Sequence, residues 1–215
     1  IAREFPQVAW SLILKLLPTH HAVGHPSHRP KWRDFVPENW KDGTTNGQRW
    51  QDEGYYADLA LELAGDDLNR LAELLPYYFY IHPRFSNFVK DYRARLCSPE
   101  VLGLSDSQRL PLWTQLTTKI SNHRKYSDSD AWRVPEESLR ELEEVAAVLK
   151  PTQPEVLHRQ LFSGHDIDHY DEKGNWEEQR LRLLSKRVFA LKEIAQRGGV
   201  EALRAFWRSV ESPHE

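Results

Sequence analysis

Residues 175–199 read NWEEQRLRLLSKRVFALKEIAQRGG. Within them Leu181, Leu184, Val188, Leu191 and Ile194 recur at the spacing that lines one side of an α-helix. Asn175, followed by Trp176, Glu177 and Glu178, supplies a capping residue and then acids that suit the positive end of the helix dipole. Gly198 and Gly199 interrupt the pattern, and residues 200–210 read as a short returning helix. Nothing in this stretch alternates with the period of two that a half-buried strand requires.

The same periodicity extends upstream. Thr152 and Glu155 have capping-box spacing. Pro135, Glu136 and Glu137 open a helix whose inner side is Leu139, Leu142, Val145, Ala146 and Leu149, closed by Pro151. Ser105 with Gln108 forms a second capping box, ahead of a helix carrying Leu112, Leu116 and Ile120 on one face and Trp113 beside them. Residues 77–96 place Tyr78, Ile81, Phe85, Phe88, Tyr92 and Leu96 at helical intervals, with Pro83 starting a new helix or kinking the old one. Asp66 or Asp67 caps a short helix through Leu68, Leu71, Leu74 and Leu75. Residues 48–64 form another helix, with Trp50, Tyr55, Leu59 and Leu63, stopped by Gly65. Near the N-terminus, residues 5–17 set Val8, Leu12 and Leu16 at fourfold spacing with Ala9, Ile13 and Leu17 alongside, a broad apolar face ended by Pro18.

Only residues 19–47 escape helical periodicity. They hold Pro26, Pro30, Pro37, Gly24, Gly43 and four histidines, and so read as a long ordered loop that Trp32, Phe35 and Trp40 pack against the body. The fold expected is all-α. It is a single helical domain over 1–215 with about eight or nine helices in antiparallel pairs, as an irregular bundle or a degenerate α-solenoid. No self-similarity appears at the ~34 to ~45 residue periods of common helical arrays.

Composition narrows the function classes. The chain has 215 residues, 29 basic and 32 acidic, for a net charge of -3, so whole-molecule attraction to nucleic acid is absent. No apolar run approaches the ~18 residues of a membrane span. The single cysteine, Cys97, allows no internal disulfide and fits a reducing, cytoplasmic setting. The sequence starts at Ile1 and contains no methionine, so it reads as an excised piece of a longer protein. If methionines were instead missing from the written chain, the spacings around them would lengthen by one.

Three clusters could carry chemistry. His20, His21, His25 and His28 offer imidazoles to a metal, and His165 and His169, among Asp166, Asp168 and Asp171, could complete a hydrolase or nuclease centre. Against this stand the absence of a partner cysteine and of helical His-Glu-x-x-His order, and no metal is expected. The run Tyr77 to Tyr80 followed by Arg84, Phe85, Phe88, Lys90, Tyr92, Arg93 and Arg95 has the aromatic and basic letters of a single-strand binder, and equally those of a core helix with basic edges. Arg29, Lys31 and Arg33 flank Trp32 in a small positive patch that, with Trp40, suits a binding surface, since Trp and Arg are enriched at hot spots. Phosphate loops, dinucleotide turns and nucleophile elbows are missing.

The stretches Val8-Ala9-Trp10-Ser11-Leu12-Ile13-Leu14-Lys15-Leu16-Leu17-Pro18 and His25-Pro26-Ser27-His28-Arg29-Pro30-Lys31-Trp32-Arg33 resemble helical-repeat regions of large bacterial multidomain signalling and defence proteins of the STAND-type NTPase kind. The resemblance implies a scaffold or sensor segment, with the catalytic machinery elsewhere in the parent chain. The function expected is therefore a non-enzymatic helical module, without a cofactor, that binds a protein partner or another domain of its parent.

Overall fold

The computed structural model describes residues 4–18, 45–125, 134–162 and 176–211. All regular structure among them is helical. The α-helices are α1 (Pro6–Leu16), α2 (Asn46–Ala64), α3 (Leu68–Leu74), α4 (Phe88–Leu96), α5 (Pro99–Leu102), α6 (Asp106–Lys125), α7 (Glu136–Leu149), α8 (Pro154–Leu157) and α9 (Trp176–Glu211), with tighter 3-10 turns at Leu75–Tyr77 and Arg159–Phe162. The all-α fold is thus the observed one.

Local chemistry sets the boundaries. Thr45 and Gln48 cap α2 reciprocally, so the helix begins at Asn46, two residues before the sequence reading placed it. At its other end Gly65 adopts φ 55, a left-handed value that glycine takes without steric cost. Asp67 accepts from the amides of Asn69 and Arg70 to start α3. The predicted Ser105 and Gln108 box is present at the head of α6.

Two expectations need correction. Residues 77–96 are not one long or kinked helix: after the turn Leu75–Tyr77 the chain passes through further turns, and only Phe88–Leu96 is α-helical. Tyr78 and Ile81 are buried all the same, because a turn can deliver a ring to the core as well as a helix can. Thr152 and Glu155 do not form a capping box either. The carboxylate of Asp106, at the start of α6, accepts from the Thr152 amide at 2.6 Å, the Thr152 hydroxyl at 3.0 Å and the Gln153 amide at 2.8 Å. Pro154 at the first position of α8 moves the capping position to Gln153, and a distant acid satisfies the donors there.

The packing follows the chain. α1 lies against α2, α2 against α3 and α4, α3 against α6, α4 against α7, and α6 against α7 and α8. The core runs from Trp10 to Leu149 and centres on Tyr78, Phe88, Tyr92, Leu96, Leu112, Leu116, Leu142 and Leu149. Phe88 and Tyr92 stack with ring centroids 5.4 Å apart, and the Tyr92 hydroxyl donates to the Leu71 carbonyl in the last turn of α3 at 2.6 Å. The inner sides predicted for α6 and α7 are buried as read.

α9 differs. Its main contacts are with α8 and the turn Arg159–Phe162, and its buried residues, Ala190, Ile194 and Phe206, lie outside the main core. Gly199, at φ 65, breaks the helix where the glycine pair predicted a break, so α9 is two helices joined at a kink.

Candidate functional site

Most of the residues singled out from sequence lie outside the described residues: His20, His25, His28, Arg29, Lys31, Trp32, Arg33 and Trp40 in the 19–47 stretch, and His165 and His169 further on. Among the described residues no group of three or more His, Cys, Asp and Glu side chains is placed to hold a metal ion. No helix among them is long and apolar enough to cross a membrane.

The basic and aromatic run is described, and its parts are dispersed. Arg93 pairs with Glu141 of α7, and Arg95 with Asp66 at 3.0 Å. The Arg84 guanidinium lies over the Phe85 ring at 5.7 Å, and Lys90 stands exposed on α4. Tyr78, Phe88 and Tyr92 are buried in the core, so their rings are not offered to bases. This is the core version of the run, in which cations cover the edge of an inward aromatic stripe. Cys97 is half-buried, and burial pushes its thiol up despite the opposing charge of Arg93, which leaves it protonated and a poor nucleophile.

A cleft of about 640 Å³ opens between α2 and α4, lined by Asp58, Glu62, Asp66, Asp91, Arg95 and Glu100 among others. It is strongly acidic, and Arg95, its one cation, is already committed to Asp66.

The more informative surface is apolar. On α1 the body covers Ala9, Trp10 and Ile13, with Leu17 just beyond, while Phe5 ahead of the helix and Val8, Leu12 and Leu16 on it face outward. The broad apolar face read from the sequence is therefore half core and half surface. On α9 the departure is larger. Leu181, Leu184 and Val188, three of the five residues predicted to line its inner side, are 59%, 45% and 50% exposed, and Phe189, Val200 and Trp207 are exposed as well. Ile194 alone of the five is fully buried; Leu191 is half-buried. A stripe of large side chains left in water on a helix with so little buried surface is uncommon in a free-standing fold.

The charge around that stripe has one sign. From Gln179 to Lys192 the helix carries Arg180, Arg182, Lys186, Arg187 and Lys192 and no acid. Arg187 also fastens the helix to the body: its Nε donates to the Leu161 carbonyl at 2.6 Å and its guanidinium lies 5.7 Å from the Phe162 ring centroid. His158 meets Glu193 at 2.8 Å, and Arg197 donates to the Thr152 carbonyl at 3.1 Å. These contacts hold one side of α9 down and leave the leucine stripe outward. Sequence reasoning found the stripe through its period but assigned it to the interior, since periodicity identifies residues that share a face and not what lies opposite them.

No family model matches the chain, and no curated protein or solved structure matches it.

Proposed function

We propose that this chain is a non-enzymatic helical scaffold or recognition module that presents an apolar helix face to a protein partner or to another domain of its parent, in the cytoplasm. The observation that carries the reading is the exposed stripe Leu181, Leu184 and Val188 on a helix whose buried residues lie outside the main core. Exposed apolar residues scattered singly need no explanation, but a row of them in register on one helix is what a partner covers. The outward Val8, Leu12 and Leu16 of α1 support the same reading at a second place.

A photo-reactive phenylalanine analogue placed at Leu184 or Leu12 in the chain, expressed with its native neighbours, tests it. A discrete adduct from these positions and not from exposed Glu155 is expected. Adducts no different from the Glu155 control, or turnover of a hydrolase or nuclease substrate by the purified chain, would overturn the reading.

A further inference from the structure

The exposed stripe on α9 has a specific geometry. Leu181, Leu184, Val188 and Leu191 follow the three-four-three spacing of coiled-coil core positions, and they extend along about 15 Å of helix. This is the pattern a single partner helix fits. The buried residues Ala190 and Ile194 lie on a neighbouring face, so a helix laid on the stripe would meet no residue that already holds α9 to the body.

What that helix carries at its edges follows from charge. In this register Arg180 and Arg187 occupy the flanking position before each core pair and Lys192 the one after. In a parallel pair of two copies Arg187 would face Lys192; in an antiparallel pair each would face its own kind. Either arrangement places like charges along the seam, so a second copy of this chain is a poor occupant. Across residues 179–192 the five cations and absent acids call for the opposite sign.

From this we infer that the α9 stripe is a docking site for an amphipathic helix with leucine-type core residues and acidic flanks, supplied by a partner protein or another part of the parent chain. The inference rests on the recognition-module reading above and adds the chemistry of the partner. The apolar row supplies the holding energy, and the basic flanks select the partner and its register.

The test uses the full chain and two labelled synthetic peptides of about three heptads, alike in leucine core positions but with Glu or Lys at the flanks. Fluorescence anisotropy should show binding of the Glu peptide, weakened by about tenfold or more in Leu184→Asp. Raising salt from about 0.05 M to about 0.5 M should weaken it too. The double variant Arg180→Glu, Lys192→Glu should reverse the preference toward the Lys peptide. Because Leu184 is exposed, helical content of its variant should be unchanged, and Val188→Asp provides a second, independent probe of the stripe. Equal binding of both peptides, or binding of neither, overturns the acidic partner. So does a dimer in sedimentation analysis that Leu184→Asp disperses, which would make a second copy the occupant. Pelleting with phosphatidylserine vesicles but not with phosphatidylcholine vesicles, in competition with the Glu peptide, overturns it in favour of a lipid surface. If the peptides fail while the crosslink at Leu184 persists, only the assigned chemistry falls; if both fail, the recognition reading falls as well.

Discussion

Gly54 lies in the middle of α2, where alanine is normally preferred by ~1 kcal/mol, so Gly54→Ala would ordinarily stabilise the protein. Here it should do the reverse. A Cβ added at Gly54 would stand 2.5 Å from the Phe85 carbonyl oxygen, 3.1 Å from its carbon and 3.1 Å from the Ser86 Cβ. An acceptable contact requires a shift of about 0.5 Å, and the obstacle is backbone. That backbone is tied on both sides: the Phe85 amide bonds to the His82 carbonyl, the Ser86 hydroxyl donates to Asp58 on α2 at 2.7 Å, and the Phe88 amide donates to the same hydroxyl at the start of α4. Overpacking of this kind costs ~1 to ~3 kcal/mol, and loosening the Ser86 to Asp58 bond adds ~0.5 kcal/mol. After the alanine preference is subtracted, the net is a destabilisation of about 1 to 2 kcal/mol, or roughly 2 to 8 °C in Tm for a chain of this size. Gly47, in the first turn of the same helix, has nothing within 4 Å of its added Cβ, so Gly47→Ala should be neutral or stabilising by up to ~1 kcal/mol. Urea unfolding with matched m-values would compare the two. A Gly54→Ala protein as stable as its parent, beside an unaffected Gly47→Ala protein, would refute the close approach of α2 and the 82–87 passage.

Asp106 is buried and accepts from Arg109 at 2.6 Å besides Thr152 and Gln153. Burial alone would raise its carboxyl, but the hydrogen bonds together hold it below the ordinary 3.8. A lowered native value means stability that is fully present above 3.8 and lost as pH falls through the native value, so unfolding free energy should drop below about pH 4. Asp106→Asn should be less stable near neutrality and lack that share of the acid slope in a pH series of urea melts. Tyr92→Phe removes the bond to Leu71 and should cost ~1 to ~2 kcal/mol by thermal unfolding, without loss of helical content. On α1, Ile13→Ala should cost ~2 to ~4 kcal/mol whereas Leu12→Ala should stay within ~0.5 kcal/mol; equal losses would show that the outward row is buried after all.

The helices were legible where one face could only be the inner one. α6 and α7 show this, since Leu112, Leu116 and Ile120, and Leu139, Leu142 and Leu149, have polar residues all round and are buried as read. The aromatics of 77–96 misled because turns containing Pro76 and Pro83 can place rings at intervals that imitate a helix. Asp106 was invisible for another reason. An acid in the first turn after a Ser105 cap looks like an ordinary partner of the helix dipole, and no local signal ties it to Thr152. For α9 the sequence carried the seam and its charges but not the side on which the body lies, because Arg187, Glu193 and Arg197 fix that side through contacts distant in the chain.

α9 also follows its own anchors directly, α8 and the turn Arg159–Phe162, while the main core is complete by Leu149. During synthesis, therefore, the core segments leave the ribosome before the leucine stripe does and can close without it. The stripe is then added to a finished body, held through a short local attachment. In native-state hydrogen exchange its amides should open at a lower free energy than those of α4 and α6, so a partner can order or release this helix without paying for the unfolding of the core.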